Sequence, residues 1–196
     1  PERFPLKERR GRQSPPAILT VRNLVRRMGL DALIDAALLL KESGVTFELG
    51  IGGEGPLNEE LRARARPLGP SVRFLGRIPE ERLAATYRAA DLFVLPTAAI
   101  EGFGLVILES FASGTPVVGT PIGAIPELVG LQGEGYLSTG TSAPEIADAI
   151  RHFLERNDPV TPEELRRLAE DYSWTRRAAA IAAVYDKLVK ASVGDR

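Results

Sequence analysis

Short apolar runs alternate with longer amphipathic ones along most of this chain. Ala17-Ile-Leu-Thr-Val-Arg22 reads as a buried strand. In Gly29–Glu42, Leu30, Leu33, Ile34, Ala37 and Leu38 recur at helical spacing, with Gly44 as a stop. Thr46–Gly52 predicts a second strand, Pro56–Arg66 a polar helix, Val72–Leu75 a third strand and Pro79–Ala90 a helix. Asp91-Leu-Phe-Val-Leu-Pro96 is an apolar run ended by proline, a fourth strand. A helix from about 104 to 113, a strand at Pro116–Gly119, a short segment at 125–129 and a sixth strand at Gly135–Ser138 follow. Repeated β-α alternation predicts an α/β fold, a mostly parallel sheet of about six strands with helices on both faces.

From Ala143 the pattern is helical only, in pieces at 144–156, 162–171 and 174–191. The last carries a broad apolar stripe through Ala178, Ile181, Ala182, Val184, Tyr185, Leu188 and Val189. That is more apolar face than a surface helix needs, so it is expected to cover something outside this chain. Tyr172-Ser-Trp174 is expected to anchor these helices by packing. Residues 1–16, with four prolines and the charged cluster Lys7–Arg12, read as a linker, leaving 17–196 as one domain.

The net charge of -1 disfavours a general nucleic-acid binder. All but four of the 25 basic residues are arginine, a planar cation suited to phosphate, but codon bias of a GC-rich genome is the first explanation of the excess. The absence of cysteine excludes thiolate chemistry, and one histidine, His152, excludes a multi-histidine metal site within the chain. No apolar run is long enough for a membrane span, and the amino terminus has no signal-peptide pattern. The chain opens without methionine, which suggests a fragment or a processed chain, and a cytoplasmic location is expected.

The chemistry concentrates in Glu101-Gly-Phe-Gly-Leu-Val-Ile-Leu-Glu109, between a predicted strand and a predicted helix. Ligands of open α/β sheets bind at the carboxyl ends of the strands. Amides at Phe103, Gly104, Leu105 and Val106 would form an orphaned first helical turn that favours an anion such as a diphosphate. Glu101 suits the hydroxyls of a bound sugar, or else simple charge compensation at a helix start. Glu109, between Leu108 and Phe111, needs a partner if buried. Ribose hydroxyls and an arginine at the domain edge are both open. Gly50-Ile-Gly-Gly-Glu-Gly55 satisfies G-x-G-x-x-G, but it follows the second strand rather than the first, which disfavours a nicotinamide cofactor.

The same stretch, continuing Ser-Phe-Ala-Ser-Gly-Thr-Pro-Val-Val-Gly-Thr-Pro-Ile-Gly-Ala-Ile-Pro-Glu127, resembles the E-x7-E region of retaining glycosyltransferases with the GT-B fold. The resemblance covers about residues 17–191, including Gly53-Glu-Gly-Pro56 and Phe74-Leu-Gly-Arg-Ile-Pro79. It implies a single Rossmann-like domain, the nucleotide-sugar-binding half of a two-domain enzyme. Glu101 then matches the catalytic-site acid that contacts the donor sugar. The amides of Gly102, Phe103 and Gly104 match groups on sugar hydroxyls, and those of Leu105 and Val106 groups on the diphosphate. Glu109 matches the ribose-binding acid, Arg77 and Ile78 the loop that reads the base, with Leu83 nearby, and Gly53 and Gly55 a glycine turn lining the cleft.

One departure stands out. The family frame Gly-Arg-Leu-Val-x-x-Lys-Gly appears here as Arg22-Asn-Leu-Val-Arg-Arg-Met-Gly29, with Asn23 and Met28 at the usual cationic positions. Arg27, and after it Arg22, are expected to supply the missing charge.

The resemblance implies transfer of a hexose from a nucleoside-diphosphate sugar, with no metal and no cofactor beyond that substrate. It also implies an acceptor site on a missing N-terminal Rossmann-like domain, a peripheral membrane position for the full enzyme as an option, and a fragment that binds nucleotide but is inactive alone. Self-association through the uncovered final helix is a further expectation. Two alternatives stay open: a non-catalytic nucleotide-sugar-binding module, which Asn23 and Met28 keep alive, and, lower, a GT-B-like nucleotide-sugar 2-epimerase. Base, sugar and acceptor are not legible.

Overall fold

A computed structural model describes residues 3–6, 13–156 and 159–194. The Lys7–Arg12 cluster and the side chains of Leu188 and Val189 lie outside what it describes. Strands β1 (Ala17–Val21), β2 (Glu48–Gly52), β3 (Val72–Gly76), β4 (Leu92–Leu95) and β5 (Val117–Gly119) form one parallel sheet in the order β3-β2-β1-β4-β5. Leu19 of β1 is in register with Gly50 of β2 and Phe93 of β4. All of β4 and β5 is buried, as expected of strands covered on both faces.

Eight α-helices accompany the sheet among the described residues: α1 (Leu30–Glu42), α2 (Asn58–Ala65), α3 (Glu80–Ala89), α4 (Leu105–Ala112), α5 (Ile125–Val129), α6 (Ala143–Glu155), α7 (Pro162–Asp171) and α8 (Trp174–Gly194). Helix α1 buries Leu30, Leu33, Ile34, Ala37 and Leu40, the apolar stripe of a 3.6-residue period. It packs on α2 and α6, whereas α4 packs on α3 and α7. These are the two helical layers that right-handed crossovers place on opposite faces of the sheet. The start of α7 is set by a capping box: Glu164 N–H donates to Thr161 Oγ1 (3.3 Å) and Thr161 N–H to Glu164 Oε2 (2.8 Å).

The expected sixth strand shrinks to a single bridge between Gly119 and Leu137. Only Tyr136 and Ser138 of this segment are buried, and Gly135 and Gly140 bound it, so no ladder of useful length forms. The β5 edge is satisfied otherwise. Val117 N–H donates to Gln132 Oε1 and Gln132 Nε2 donates back to the Val117 carbonyl, both at 2.8 Å. A side-chain amide thus stands in for one strand residue and blunts the edge.

Helix α8 differs from the rest. Trp174, Ile181, Val184 and Tyr185 are exposed, Trp174 by 83%. Among the described residues Trp174 is therefore not a packing anchor, contrary to the expectation for Tyr172-Ser-Trp174. Tyr172 does pack, against the Phe103 ring (6.1 Å) and the Arg177 guanidinium (4.6 Å).

Candidate functional site

Chain order reverses between β1 and β4, which lie side by side. The loops leaving their carboxyl ends must diverge, opening a crevice there. Three strand ends are tied together along one side of it. Arg22 N–H donates to the Gly52 carbonyl (2.9 Å), Leu24 N–H to Glu54 (2.9 Å), and Gly53 N–H to Gly76 (2.7 Å). Gly53 has φ 124°, and a Cβ there would sit 1.8 Å from the Arg22 carbonyl oxygen. Only glycine permits that backbone angle and that approach. At Gly55 the approach alone requires glycine, since a Cβ there would sit 2.5 Å from the Leu24 carbonyl oxygen, so the glycine turn joins two loops as well as edging the cleft. On the far side, Ala98 N–H donates to the Arg27 carbonyl (2.9 Å).

The resulting cleft, about 520 Å³, is lined by Val21, Arg22, Asn23, Met28, Gly53, Glu54, Arg77, Ile78 and Val106. Seven positions singled out by the sequence meet here: Arg22, Asn23, Met28, Gly53, Arg77, Ile78 and Val106. Leu83 instead packs partly buried against the core.

Arg22 is held on several sides. Its Nη2 donates to Glu101 Oε2 at 2.6 Å, to Met28 Sδ at 2.7 Å and to Thr97 Oγ1 at 3.4 Å. Thr97 Oγ1 also donates to Glu101 Oε2 (3.4 Å). The Arg22 and Glu101 side chains are only 7% and 12% exposed. Arg27 lies on the exposed side and donates to the Ile100 carbonyl (3.2 Å). Of the two arginines expected to supply charge, Arg22 lines the cleft and Arg27 braces the neighbouring loop. The reason is backbone direction: pairing of residues 22–24 with 52–54 turns Arg22 inward.

The loop from β4 to α4 carries Ile100 at φ 60°, a conformation costly for a β-branched residue. Gly104, at φ 79° and ψ 48°, turns the chain into α4. Ile107 N–H already bonds the Gly104 carbonyl (2.8 Å). The Leu105 and Val106 amides precede any intrahelical partner, so they are orphan donors at the positive end of the helix. Gly102, Phe103 and Leu105 are exposed beside the cleft, and Val106 alone of the five lines it.

Glu109 lies about one turn further along α4. Its Oε2 accepts a hydrogen bond from the buried Tyr87 hydroxyl at 3.0 Å. Burial pushes its carboxyl above the ordinary value, while the Tyr87 bond and the charge of Arg3 pull it back. Burial, reinforced by Glu109, raises the Tyr87 phenol well above its ordinary value. The partner is a tyrosine, which neither sequence alternative contained. Leu83, Ala84 and Tyr87 at helical spacing mark an inward face of α3, but a contact 22 residues away in sequence has no local signature. Thr97, which bridges the ion pair, was equally unmarked. Among the described residues no three His, Asp or Glu side chains converge as a metal site, and no helix is long and apolar enough to cross a membrane.

Comparison with known proteins gives a consistent picture. The model of the family described as Glycosyl transferases group 1 matches residues 3–172. The amylovoran biosynthesis glycosyltransferase AmsK of Erwinia amylovora is 33% identical over 177 residues, which cover 87% of this chain and 44% of that protein. Sucrose-phosphate synthase from Thermosynechococcus elongatus superposes with a TM-score of 0.69 at 28% identity, over 90% of this chain and 46% of the other. The C-terminal domain of a group 1 family protein (LpcC) from Francisella tularensis gives 0.67 at 26% identity, over 86% and 91%. The chain spans about half the length of the curated relatives it matches.

Proposed function

This chain belongs to the glycosyl transferases group 1 family, and we propose that it is the donor-binding half of a retaining glycosyltransferase. The full enzyme would move a hexose from a nucleoside-diphosphate sugar to an acceptor hydroxyl. The observation that carries the reading is the cleft at the chain reversal, where Arg22, Arg77, Ile78 and the start of α4 converge. In the proposed chemistry the bond from the anomeric carbon to the diphosphate breaks, the acceptor oxygen bonds that carbon on the same face, and the acceptor's hydroxyl proton passes to the departing diphosphate. The cost lies in the departing diphosphate and the cationic sugar. The Leu105 and Val106 amides and Arg22 face the first, and the Glu101 carboxylate the second. Glu109 takes the ribose hydroxyls, exchanging or sharing its Tyr87 bond. Arg77 and Ile78 flank the base. No step of this scheme is assigned to a metal.

Calorimetry with UDP, GDP and ADP tests the reading. A donor domain binds one of them in preference, through a site that R77A and E109Q weaken. Turnover of a nucleotide sugar on a defined acceptor by the 196-residue chain would contradict the further proposal that it is inactive alone. The exposed face of α8 is proposed to lie against a second domain in a longer protein, and to self-associate without one. Light scattering showing a monomer at high concentration would remove the latter.

A second reading is a binding module without catalysis. Asn23 and Met28 favour it, since both line the cleft where the family frame places cations. Binding of none of the three nucleotides would leave neither reading standing.

A further inference from the structure

We propose that Arg22 and Glu101 form a latch. The guanidinium holds the carboxylate while the cleft is empty, and a diphosphate entering the cleft takes over the guanidinium and frees the carboxylate for sugar hydroxyls. This rests on the donor-binding reading above and assigns a regulation to that same site. Three observations carry it. The first is geometric: the 2.6 Å contact joins the cleft-lining Arg22 to Glu101, both nearly buried, so either side chain must loosen its hold before it engages a ligand fully.

The second is chemical. The Nε and Nη2 edge of Arg22 faces the Met28 sulfur, at 3.1 and 2.7 Å. A thioether is a weak acceptor, whereas phosphate oxygens accept from such an edge in the strong bidentate manner. The incoming group therefore displaces a poor partner. A lysine at position 28 would set a second cation against the Arg22 guanidinium, so Met28 and Arg22 fit together as one exchange.

The third is the charge along the wall. Besides Arg22, the cleft is lined by one cation, the exposed Arg77, and by Glu54. Glu101, added to that wall without its partner, would repel a diphosphate. With Arg22 paired to it, the carboxylate is masked while the cleft is empty and competes with an entering diphosphate for that one cation. Diphosphate and sugar are then recognised in a coupled manner: the first loosens the carboxylate that the second requires.

The test compares wild type, E101Q and R22K by calorimetry with the preferred nucleoside diphosphate and with the matching nucleoside monophosphate. Removing the competing carboxylate in E101Q should tighten the diphosphate roughly tenfold, a typical size for coupled sites, and leave the monophosphate within about twofold. R22K should weaken the diphosphate. Unchanged or weaker diphosphate binding by folded E101Q overturns the latch while the donor-site reading survives. Lack of nucleoside diphosphate binding by wild type overturns both. Should E101Q not fold, wild type still decides the matter by NMR. The Arg22 guanidinium signal, assigned by its loss in R22K, should shift on saturation with pyrophosphate, and an unmoved signal refutes the latch.

Discussion

The two acids of the 101–109 stretch share a sequence neighbourhood and live under opposite electrostatics. Glu101 sits in the loop between β4 and α4 against a buried guanidinium and the Thr97 hydroxyl. Glu109 sits inside a helix against a phenol, with its charge disfavoured by burial. One carboxylate is neutralised by a cation, and the other is tuned by a neutral donor. A pair of acids at fixed spacing is therefore not one motif chemically. The first can release a cation to a ligand, while the second can only trade one hydroxyl partner for others.

Breaking the first side should have the largest effect. R22A leaves Glu101 nearly buried without its cation, and denaturant unfolding should show a loss of about 3 kcal/mol. Y87F, the equivalent cut on the second side, removes a neutral donor and should cost about 1 kcal/mol. Equal losses would mean that the two carboxylates do not differ in their electrostatic support. G53A tests the scaffold beneath the first side. Its methyl group would meet the Arg22 carbonyl at a backbone angle that alanine avoids, so a loss of about 2 kcal/mol is expected, with weakened nucleotide binding.

The smallest effect sharpens the second side. A carboxyl whose pKa is raised in the folded state favours folding below its unfolded pKa, and that contribution is lost as pH rises through the folded value. Glu109 should therefore weaken the fold as it ionises between acid and neutral pH. E109Q should remove that slope and match or exceed wild-type stability at pH 7, by about 1 kcal/mol or less, while weakening nucleotide binding. Stability profiles of both proteins against pH check the sign. In Y87F the loss of a bond that lowers the Glu109 pKa should move its carboxyl titration further up, visible by carbon NMR.

Much of the architecture is legible because its signals are local. The 3.6-residue stripe in α1, the wholly apolar run of β4 and the Thr-Pro-Glu-Glu start of α7 each state their conformation within a few residues. Alternation of such segments leads to a parallel sheet by the handedness of crossovers. The stretch 101–109 announces itself by glycines and acids between a strand and a helix. Gly135–Ser138 shows the limit, since a short apolar segment does not reveal whether an edge is free to receive it.

What only the tertiary structure decided are relations between distant residues. Sequence places arginines at 22 and 27 in one loop, but pairing of that loop with Gly52 and Glu54 determines that Arg22 faces the cleft and Arg27 the neighbouring loop. The partners of Glu101 and Glu109 lie 79 and 22 residues away, and the amide that closes β5 lies beyond the strand itself. Periodicity and propensity act over one or two turns of chain, whereas a guanidinium, a phenol and a carboxylate meet only when a sheet brings its strand ends together.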